Sequence, residues 1–233
     1  MSSRKLKKHI LPMLEQESYK VVLEHLSTLP AKDVVNVLFS AICREVPRIR
    51  WMAISCMGET VARLAEENLE EGRTIMRRLL WSLNDESGGI GWGAPEGLAE
   101  IMCHQAQLAE EYCHMLVSYM QEDGDELLQD GNFLELPSLQ KGLLWGVGRL
   151  AGSRPELLST RVTFKDVAPF LASSDPEICG LAARITGSLG MSEAKSQLQM
   201  LMGDQREVLV YGDGELQPFT VGELAGSALQ EVQ

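Results

Sequence analysis

The chain has 233 residues, of which 45% are apolar, so it can bury a substantial core and does not have the composition of a disordered protein. Its 21 Lys and Arg residues stand against 33 Asp and Glu residues, which gives a formal net charge of −12. A negative field opposes binding to phosphate backbones and to anionic lipid surfaces. We therefore expect neither a nucleic acid nor a membrane as a partner.

The N-terminal segment does not resemble a secretory signal, because His9, Pro12 and Glu15 interrupt any apolar stretch after its basic residues. No run approaches the ~18 apolar residues of a membrane span. The five cysteines are an odd number and form no CxxC pair, as is typical of reduced thiols. These features predict a cytoplasmic protein.

The first predicted elements are two helices between about 4 and 27, which we expect to cap a stack of repeats. After them, one residue pattern recurs five times, at spacings of 41, 49, 39 and 43 residues. HEAT and armadillo repeats have spacings of about 40 to 47 residues. The positions nine and five before each anchor residue are all apolar, so they form one stripe of an amphipathic helix. The anchor residues are Gly58, Ala99, Gly148, Gly187 and Gln230.

Each anchor lies on the predicted second helix of its repeat, and Pro47, Pro137 and Pro176 mark three of the starts of these helices. The small residues at and before the anchors predict close approach of the two helices within each hairpin. The shorter first helices are placed near 31–44, 71–83, 108–120, 164–172 and 192–202. The sequence thus predicts an all-α fold, a right-handed HEAT/armadillo-like superhelical solenoid of about five helical hairpins.

We expect a single HEAT-like repeat domain over 1–233. Two insertions interrupt the repeats. The acidic segment 121–136 misses the EF-hand spacing and is predicted to be a solvated loop, whereas 207–210 and 216–220 flank Asp213-Gly214 and predict a small β-hairpin near the C-terminus. The expected parts are an N-terminal helical cap at 1–29 and repeats at 30–66, 67–106, 107–153, 154–191 and 192–233.

A glycine-rich segment, SLNDESGGIGWGAPE, breaks the second repeat. Its glycines disfavour a helix before Gly93, so the helix is predicted to begin at Ala94 or Pro95. A helix N-terminus can hold an anion, which suggests a small-anion or metabolite sensor at 88–96. Alternatively, the glycines only let the chain turn closely. The candidate residues of this segment are Asn84, Asp85, Glu86 and Glu96.

Trp51 and Trp92 stand seven residues before their anchors, and Arg48 and Arg50 flank Trp51. Equivalent positions on successive second helices form a ladder on the inner face of a solenoid, so this strip suits a protein partner. The alternative is that the tryptophans belong to the core. A second row, three residues before the anchors, contains Glu96, Trp145 and Arg184.

No residue set indicates catalysis. Cys103-His104 and Cys113-His114 contain four potential zinc ligands, but adjacent residues on a helix point about 100° apart. No local sequence motif supports a Ser-His-Asp or Cys-His-Asn catalytic set. We therefore expect no cofactor and no metal, and an enzyme is the alternative hypothesis.

The repeats resemble the bilin-lyase-type (PBS lyase) HEAT-like repeat proteins through RWMAISCMGETV, GWGAPEGLAEIM, ICGLAARITGSLG and the hairpin followed by TVGELA. SLNDESGGIGWGAPE and LLWGVGRLAGSRPELL are similar to a bacterial branch of that family. The resemblance implies lyase or chaperone action on a bilin protein, iron-dependent hydroxylation, or partner binding. Hydroxylation would need His-Glu pairs, and no histidine of this chain precedes a glutamate.

The leading hypothesis is a protein-binding adaptor or scaffold that uses the inner face of the solenoid, with a partner of unknown identity. One alternative is a lyase-type or chaperone-like accessory enzyme that acts on a cofactor-bearing protein. The other is the anion or metabolite sensor described above. A homo-oligomer stays open, because the apolar ends of a solenoid can pair.

Overall fold

The computed structural model describes residues 3–84, 91–122, 132–212 and 214–232, and these are mainly helical. The first helices in the chain are α1 (Ser3–Gln16), α2 (Tyr19–Ser27), α3 (Ala31–Ile42), α4 (Pro47–Glu67), α5 (Leu69–Leu83) and α6 (Ala94–His104). They are followed by α7 (Ala106–Ser118), α8 (Pro137–Ser153), α9 (Pro155–Leu158), α10 (Phe164–Leu171) and α11 (Pro176–Ser188). The last elements are a 3₁₀ turn (Ser192–Ala194), α12 (Lys195–Leu201), β1 (Glu207–Gly212), β2 (Glu215–Thr220) and α13 (Val221–Glu231).

The predicted helix starts are confirmed. The helices α4, α8 and α11 begin at the three prolines, where the missing N–H of proline costs no helical hydrogen bond. The helix α6 begins at Ala94, and Gly93 before it has a φ of 77°, a left-handed conformation that favours glycine. The short helix α9 was not predicted, and the predicted loop at 121–136 lies largely outside the described residues.

Side chains that cap the helices explain several other boundaries. Asn68 accepts a hydrogen bond from the N–H of Glu70 at the start of α5, and Asp175 accepts hydrogen bonds from two N–H groups at the start of α11. Thr163 directly precedes α10 and Thr220 directly precedes α13, each in a capping box with an acidic residue three positions later. These bonds satisfy N–H groups that have no partner inside a helix.

The predicted apolar stripe is buried. Its nine described members are Ile49, Ala53, Ala94, Leu139, Leu143, Ile178, Ala182, Val221 and Ala225, and each has at most 9% of its surface exposed. Ile90, the tenth member, lies outside the described residues. The anchors Gly58, Ala99, Gly148 and Gly187 are also buried, whereas Gln230 is exposed near the end of α13.

One part of the packing prediction is wrong. The anchor glycines give space to the second helix of the next repeat and not to the first helix of their own. A Cβ on Gly58 of α4 would lie 2.8 Å from Cγ of Glu100 on α6, and a Cβ on Gly187 of α11 would lie 2.8 Å from Cα of Ala228 on α13. Periodicity identifies the face of a helix that needs small residues, but not the element that contacts it.

Backbone contacts divide the chain into two compact units. The first unit comprises Met1–Ala109 with Asp213–Glu215, and the second unit comprises Glu110–Gly212 with Leu216–Gln233. In the first unit, α4 packs against α3, α5 and α6, and α1 packs against α3 and α4. In the second unit, α11 packs against α8, α10, α13 and β1.

The predicted β-hairpin is confirmed as a two-stranded sheet in which β1 pairs with β2. Gly214 in its turn has a φ of 87°, which favours glycine at that position. Val208 of β1 packs against Gly180 of α11, where a Cβ would lie 3.2 Å from a methyl group of Val208. Among the described helices, none is long and apolar enough to cross a membrane.

Candidate functional site

Polar side chains line the contact between the second helices α4 and α6 of the first unit. They occupy three equivalent rows of the repeat, which lie three residues before, one after and five after the anchors Gly58 and Ala99. Successive rows are about one helical turn apart and therefore lie on one side of each helix. The rows pair Ser55 with Glu96, Glu59 with Glu100, and Arg63 with His104.

Two of these residues are buried carboxylates. Glu96 and Glu100 lie on the same side of α6, and each has only 5% of its surface exposed. Burial of a charged carboxylate costs free energy unless nearby groups compensate for the lost water. If packing were the only role of these two positions, apolar side chains would fill them at lower cost. The sequence analysis identified Glu96 but missed Glu100. The row one residue after the anchors, which also contains Glu59, would have identified it.

His104 joins the carboxylates of both helices. Its Nε2 lies 3.3 Å from Oε1 of Glu100, and its Nδ1 lies 3.6 Å from Oε1 of Glu59. Each ring nitrogen can donate or accept a hydrogen bond according to the protonation state of the imidazole. Gly58 makes this arrangement possible, because a Cβ there would lie 2.8 Å from both Cγ of Glu100 and Cδ2 of His104.

A cavity of about 340 Å³ lies beside this cluster, between α2 and α4. Its wall includes Arg63, whose guanidinium donates hydrogen bonds to the carbonyl oxygens of Leu26, Ser27 and Leu29 and thus fixes the end of α2. Glu59 lines the cavity and also lies 3.6 Å from His104, so it belongs to both the cavity and the cluster. The cavity is lined by Lys20, Leu23, Glu24, Leu26, Ser27, Glu59, Thr60 and Arg63.

Only part of the predicted arginine and tryptophan strip is exposed to solvent. Arg48 is exposed, but its guanidinium donates to the carbonyl oxygens of Glu15 and Glu17 and so holds the end of α1. The guanidinium of Arg50 lies 5.4 Å from the ring centroid of Trp51, and its buried Nε meets no acceptor in the described part of the chain. Trp51 itself is buried, with 7% of its surface exposed.

Trp92 occupies a different environment from Trp51, although the two share a repeat position. It precedes α6 in the loop and is 36% exposed, and its carbonyl oxygen accepts a hydrogen bond of 3.7 Å from Sγ of Cys43. Asn84 ends α5 on the other side of the glycine-rich segment. Asp85, Glu86 and the segment to Ile90 lie outside the described residues, so the structure leaves the predicted anion site untested.

The remaining predicted residues lie in the second unit. Trp145 is 4% exposed, and its indole N–H donates a 2.9 Å hydrogen bond to the carbonyl oxygen of Tyr211 in β1, so it anchors the hairpin. Arg184 is half-buried on α11, in the same repeat row as Trp145. Within the described ranges, no three His, Cys, Asp or Glu side chains lie where they could hold a metal ion together.

No protein-family model matches this chain, and no curated protein matches it. Solved structures do resemble it. A designed armadillo repeat protein in complex with the peptide (KR)4 has a TM-score of 0.57 and 14% identity, covering 99% of this chain and 92% of that one. Computationally designed armadillo repeat proteins for modular peptide recognition have a TM-score of 0.51 and 14% identity, covering 97% of this chain and 99% of that one. An engineered protein has a TM-score of 0.59 and 12% identity, covering 100% of this chain and 93% of that one.

These similarities establish the fold class, because the identities are too low to carry function from one protein to another. The chain has the all-α helical-repeat fold of armadillo and HEAT-like proteins, with a small β-hairpin near the C-terminus.

Proposed function

We propose that the chain is a protein-binding scaffold, which holds an extended segment of a partner protein on the second-helix face of the first unit. The observation that carries this proposal is the pair of buried carboxylates, Glu96 and Glu100, beside Glu59 and His104. These side chains give the contact between α4 and α6 an acidic character, which suits recognition of a cationic partner. The fold is compatible with that role, since a similar designed armadillo repeat protein is in complex with the peptide (KR)4.

The charge of this face indicates which partner segment it suits. Glu59 and Glu100 both lie within 4.0 Å of the imidazole of His104, and the whole chain carries a net charge of −12. Both features attract cations and repel anions, and charge interactions strengthen where water is excluded. We therefore propose that the bound segment presents lysine or arginine side chains to Glu59, Glu96 and Glu100.

Fluorescence polarisation with labelled octapeptides tests this function. The probes are an alternating Lys-Arg peptide, a Gly-Ser peptide and an alternating Asp-Glu peptide, each titrated with the full chain. We expect saturable binding of the cationic peptide alone, weakened by salt as screening requires. Glu100→Gln is expected to weaken that binding about tenfold, the loss of one charge-assisted contact worth about 1.4 kcal/mol.

Glu193→Gln is the matched control, because it removes one negative charge from an exposed position in the second unit. If Glu100→Gln and Glu193→Gln weaken binding equally, the attraction is a property of the net charge, and the proposed face is wrong. Thermal unfolding monitored by circular dichroism establishes that each variant is folded at the assay temperature.

The bilin-lyase-type resemblance keeps a second hypothesis in place, an accessory protein that acts on a cofactor-bearing partner. It is supported by the repeat motifs alone, since we can assign none of the described residues to thioether chemistry. Visible absorbance of the protein purified from its native host would favour it. The sensor hypothesis at 88–96 instead expects a small anion to raise the melting temperature.

A further inference from the structure

We infer that His9 and His25 form a binding site for a divalent transition-metal ion, Ni²⁺ or Cu²⁺, between α1 and α2. This goes beyond the proposed function, which concerns a cationic segment at the contact between α4 and α6. The sequence did not predict the pair, because the two histidines are 16 residues apart. The expectation of no metal came from Cys-His pairs that are adjacent in the chain, so it did not include two histidines on different helices.

The helical hairpin of α1 and α2 brings the two histidines together. Only two residues join these helices, and His9 lies eight residues before Glu17 whereas His25 lies eight residues after it. Equal numbers of residues on two helices that leave one short turn cover equal lengths, so the histidines lie opposite each other. Ile10 and Leu26, which directly follow the two histidines, are fully buried. The core therefore holds the backbone on both sides of the pair.

The two side chains meet at atoms that can bind a metal. Nε2 of His9 lies 2.9 Å from Nε2 of His25, and the ring planes are inclined by 64°. Such a hydrogen bond needs at least one neutral imidazole, because an imidazolium ring has only donors. Among the described residues, neither ring has a hydrogen bond or an ion pair with a third residue. A metal ion therefore competes only with the bond between the two rings.

The distance between the two nitrogens indicates the class of metal. With bonds of about 2.0–2.1 Å to each histidine, two nitrogens lie about 2.9 Å apart at an angle of 90° and about 3.3 Å apart at the tetrahedral angle. The separation of 2.9 Å matches the 90° arrangement. Square-planar and tetragonal sites with nitrogen ligands suit Cu²⁺ and Ni²⁺, whereas tetrahedral Zn²⁺ would require the rings to move apart.

Binding requires one change of tautomer and a rotation of the rings. The ring that donates the hydrogen bond has its proton on Nε2, and exchange with water transfers this proton to Nδ1 of the same ring. Both Nε2 lone pairs are then available, and rotation of the two rings directs them to one point. Within the described ranges, no three His, Cys, Asp or Glu side chains could hold an ion together. Water therefore completes the coordination, and we expect an exchangeable ion.

The charges near the pair do not exclude a cation. Lys5 and Lys8 are close to His9 in α1, but both are exposed, so water and salt screen their repulsion. Glu24 directly precedes His25 and is also exposed, and its charge has the opposite sign. The net charge of −12 on the whole chain attracts cations to the protein surface.

The test is a titration of the full chain with Ni²⁺ near pH 7.5, without an affinity tag and in a buffer that does not bind metals. All measurements use the Cys43→Ser background, because the exposed thiol of Cys43 could itself bind the ion. Calorimetry measures the affinity, and NMR detects the ligands, because bound Ni²⁺ broadens the ring C–H resonances. Of the four histidines, we expect only His9 and His25 to broaden. Mg²⁺, which prefers oxygen ligands, is expected to have no effect.

Three variants make the outcome specific. His9→Gln and His25→Gln each remove one of the two ligands, and each is expected to weaken Ni²⁺ binding by more than about tenfold. His114→Gln, the same change at an exposed position of the second unit, is expected to bind like the parent chain. Circular dichroism establishes that each variant is folded. If one of them is not, the broadened resonances of the parent chain still decide the question.

The inference is wrong if Ni²⁺ leaves the resonances of His9 and His25 unchanged, or if all three variants bind Ni²⁺ equally. The proposed function fails separately. His9→Gln is expected to leave the affinity for the cationic octapeptide unchanged, whereas Glu100→Gln is expected to leave Ni²⁺ binding unchanged. A failure in one titration thus says nothing against the other site.

Discussion

Gly58 and Glu100 form the contact on which the buried carboxylate cluster depends. A Cβ on Gly58 would lie 2.8 Å from Cγ and 2.9 Å from the carbonyl oxygen of Glu100, closer than real Cβ contacts occur. The absence of a side chain at position 58 therefore lets α6 lie against α4 with Glu100 and His104 between them. The same contact explains why a repeat anchor is a glycine here.

Gly58→Ala is expected to destabilise the protein by about 1–3 kcal/mol, because the added methyl group meets backbone as well as side-chain atoms and α6 must shift. Denaturant unfolding measures this loss. Gly152→Ala on α8 is the control, since nothing lies within 4 Å of the added Cβ. Alanine should stabilise the helix there by up to about 1 kcal/mol. Equal effects of the two substitutions would contradict the proposed contact.

Much of the fold follows from two simple signals in the sequence. Prolines at the first turn and an apolar stripe at helical spacing predicted where α4, α8 and α11 begin and which side of each is buried. Both signals depend on residues that are close together in the chain, so a single sequence is enough to show them. The helix α9 gives no such signal, because its four residues are too few to show a period.

The site was harder to predict because two residues at equivalent positions of the repeat can differ in how exposed their side chains are. Trp51 and Trp92 share one position, but Trp51 lies on a helix and is buried, whereas Trp92 lies in a loop and is 36% exposed. Trp145 resembled a surface residue of its row, but its indole bonds to a strand that the repeat itself does not contain. The sequence analysis missed Glu100 because the identity of a residue as glutamate does not show whether its carboxylate is buried or exposed.

Trp145→Phe is expected to destabilise the second unit by about 1–3 kcal/mol, since it leaves the buried carbonyl oxygen of Tyr211 without its indole donor. Amide hydrogen exchange along β1 should accelerate, because the hairpin loses its link to α8. Trp81→Phe serves as the comparison, since Trp81 is 75% exposed and its replacement should change stability by less than about 0.5 kcal/mol. Unchanged exchange along β1 in Trp145→Phe would refute the anchoring role.

Asp175 is expected to make the stability of the second unit depend on pH. Burial by itself raises the pKa of Asp175, but hydrogen bonds from Lys141 and from the N–H groups of Ile178 and Glu177 hold it below the usual value. A lowered pKa stabilises the folded state above the unfolded-state pKa of about 3.9, and this stabilisation disappears as the pH falls through the folded-state pKa.

Two substitutions at this position separate the cap from the ion pair. Asp175→Ala loses both, and we expect a cost of about 0.5–2 kcal/mol near pH 7 that shrinks below pH 4. Asp175→Asn keeps a capping oxygen, so its cost should be smaller. Unfolding curves at a series of pH values measure both effects, and a cost for Asp175→Ala that is the same at pH 3 and pH 7 would rule out the ionic contribution.

The cysteines should react in an order set by their surroundings. Burial and the negative charge of Glu59 raise the pKa of Cys56 to about 12, so almost none of it is the reactive thiolate near pH 8. Burial also raises the pKa of Cys43, but this residue is exposed at the end of α3. We therefore expect iodoacetamide to modify Cys43 first, and Cys56, Cys113 and Cys179 only when the protein unfolds.

Peptide mass spectrometry after timed labelling, with and without denaturant, measures this order. Cys43→Ser is expected to remove the fast phase and to leave the slow one unchanged, which identifies the labelled thiol independently of the peptide map. Because Cys56 lies two residues before Gly58 in α4 and is fully buried, its labelling rate reports the opening of this helix. Gly58→Ala should therefore label faster at Cys56 than the wild type does, and an unchanged rate would mean that the added methyl group does not loosen α4.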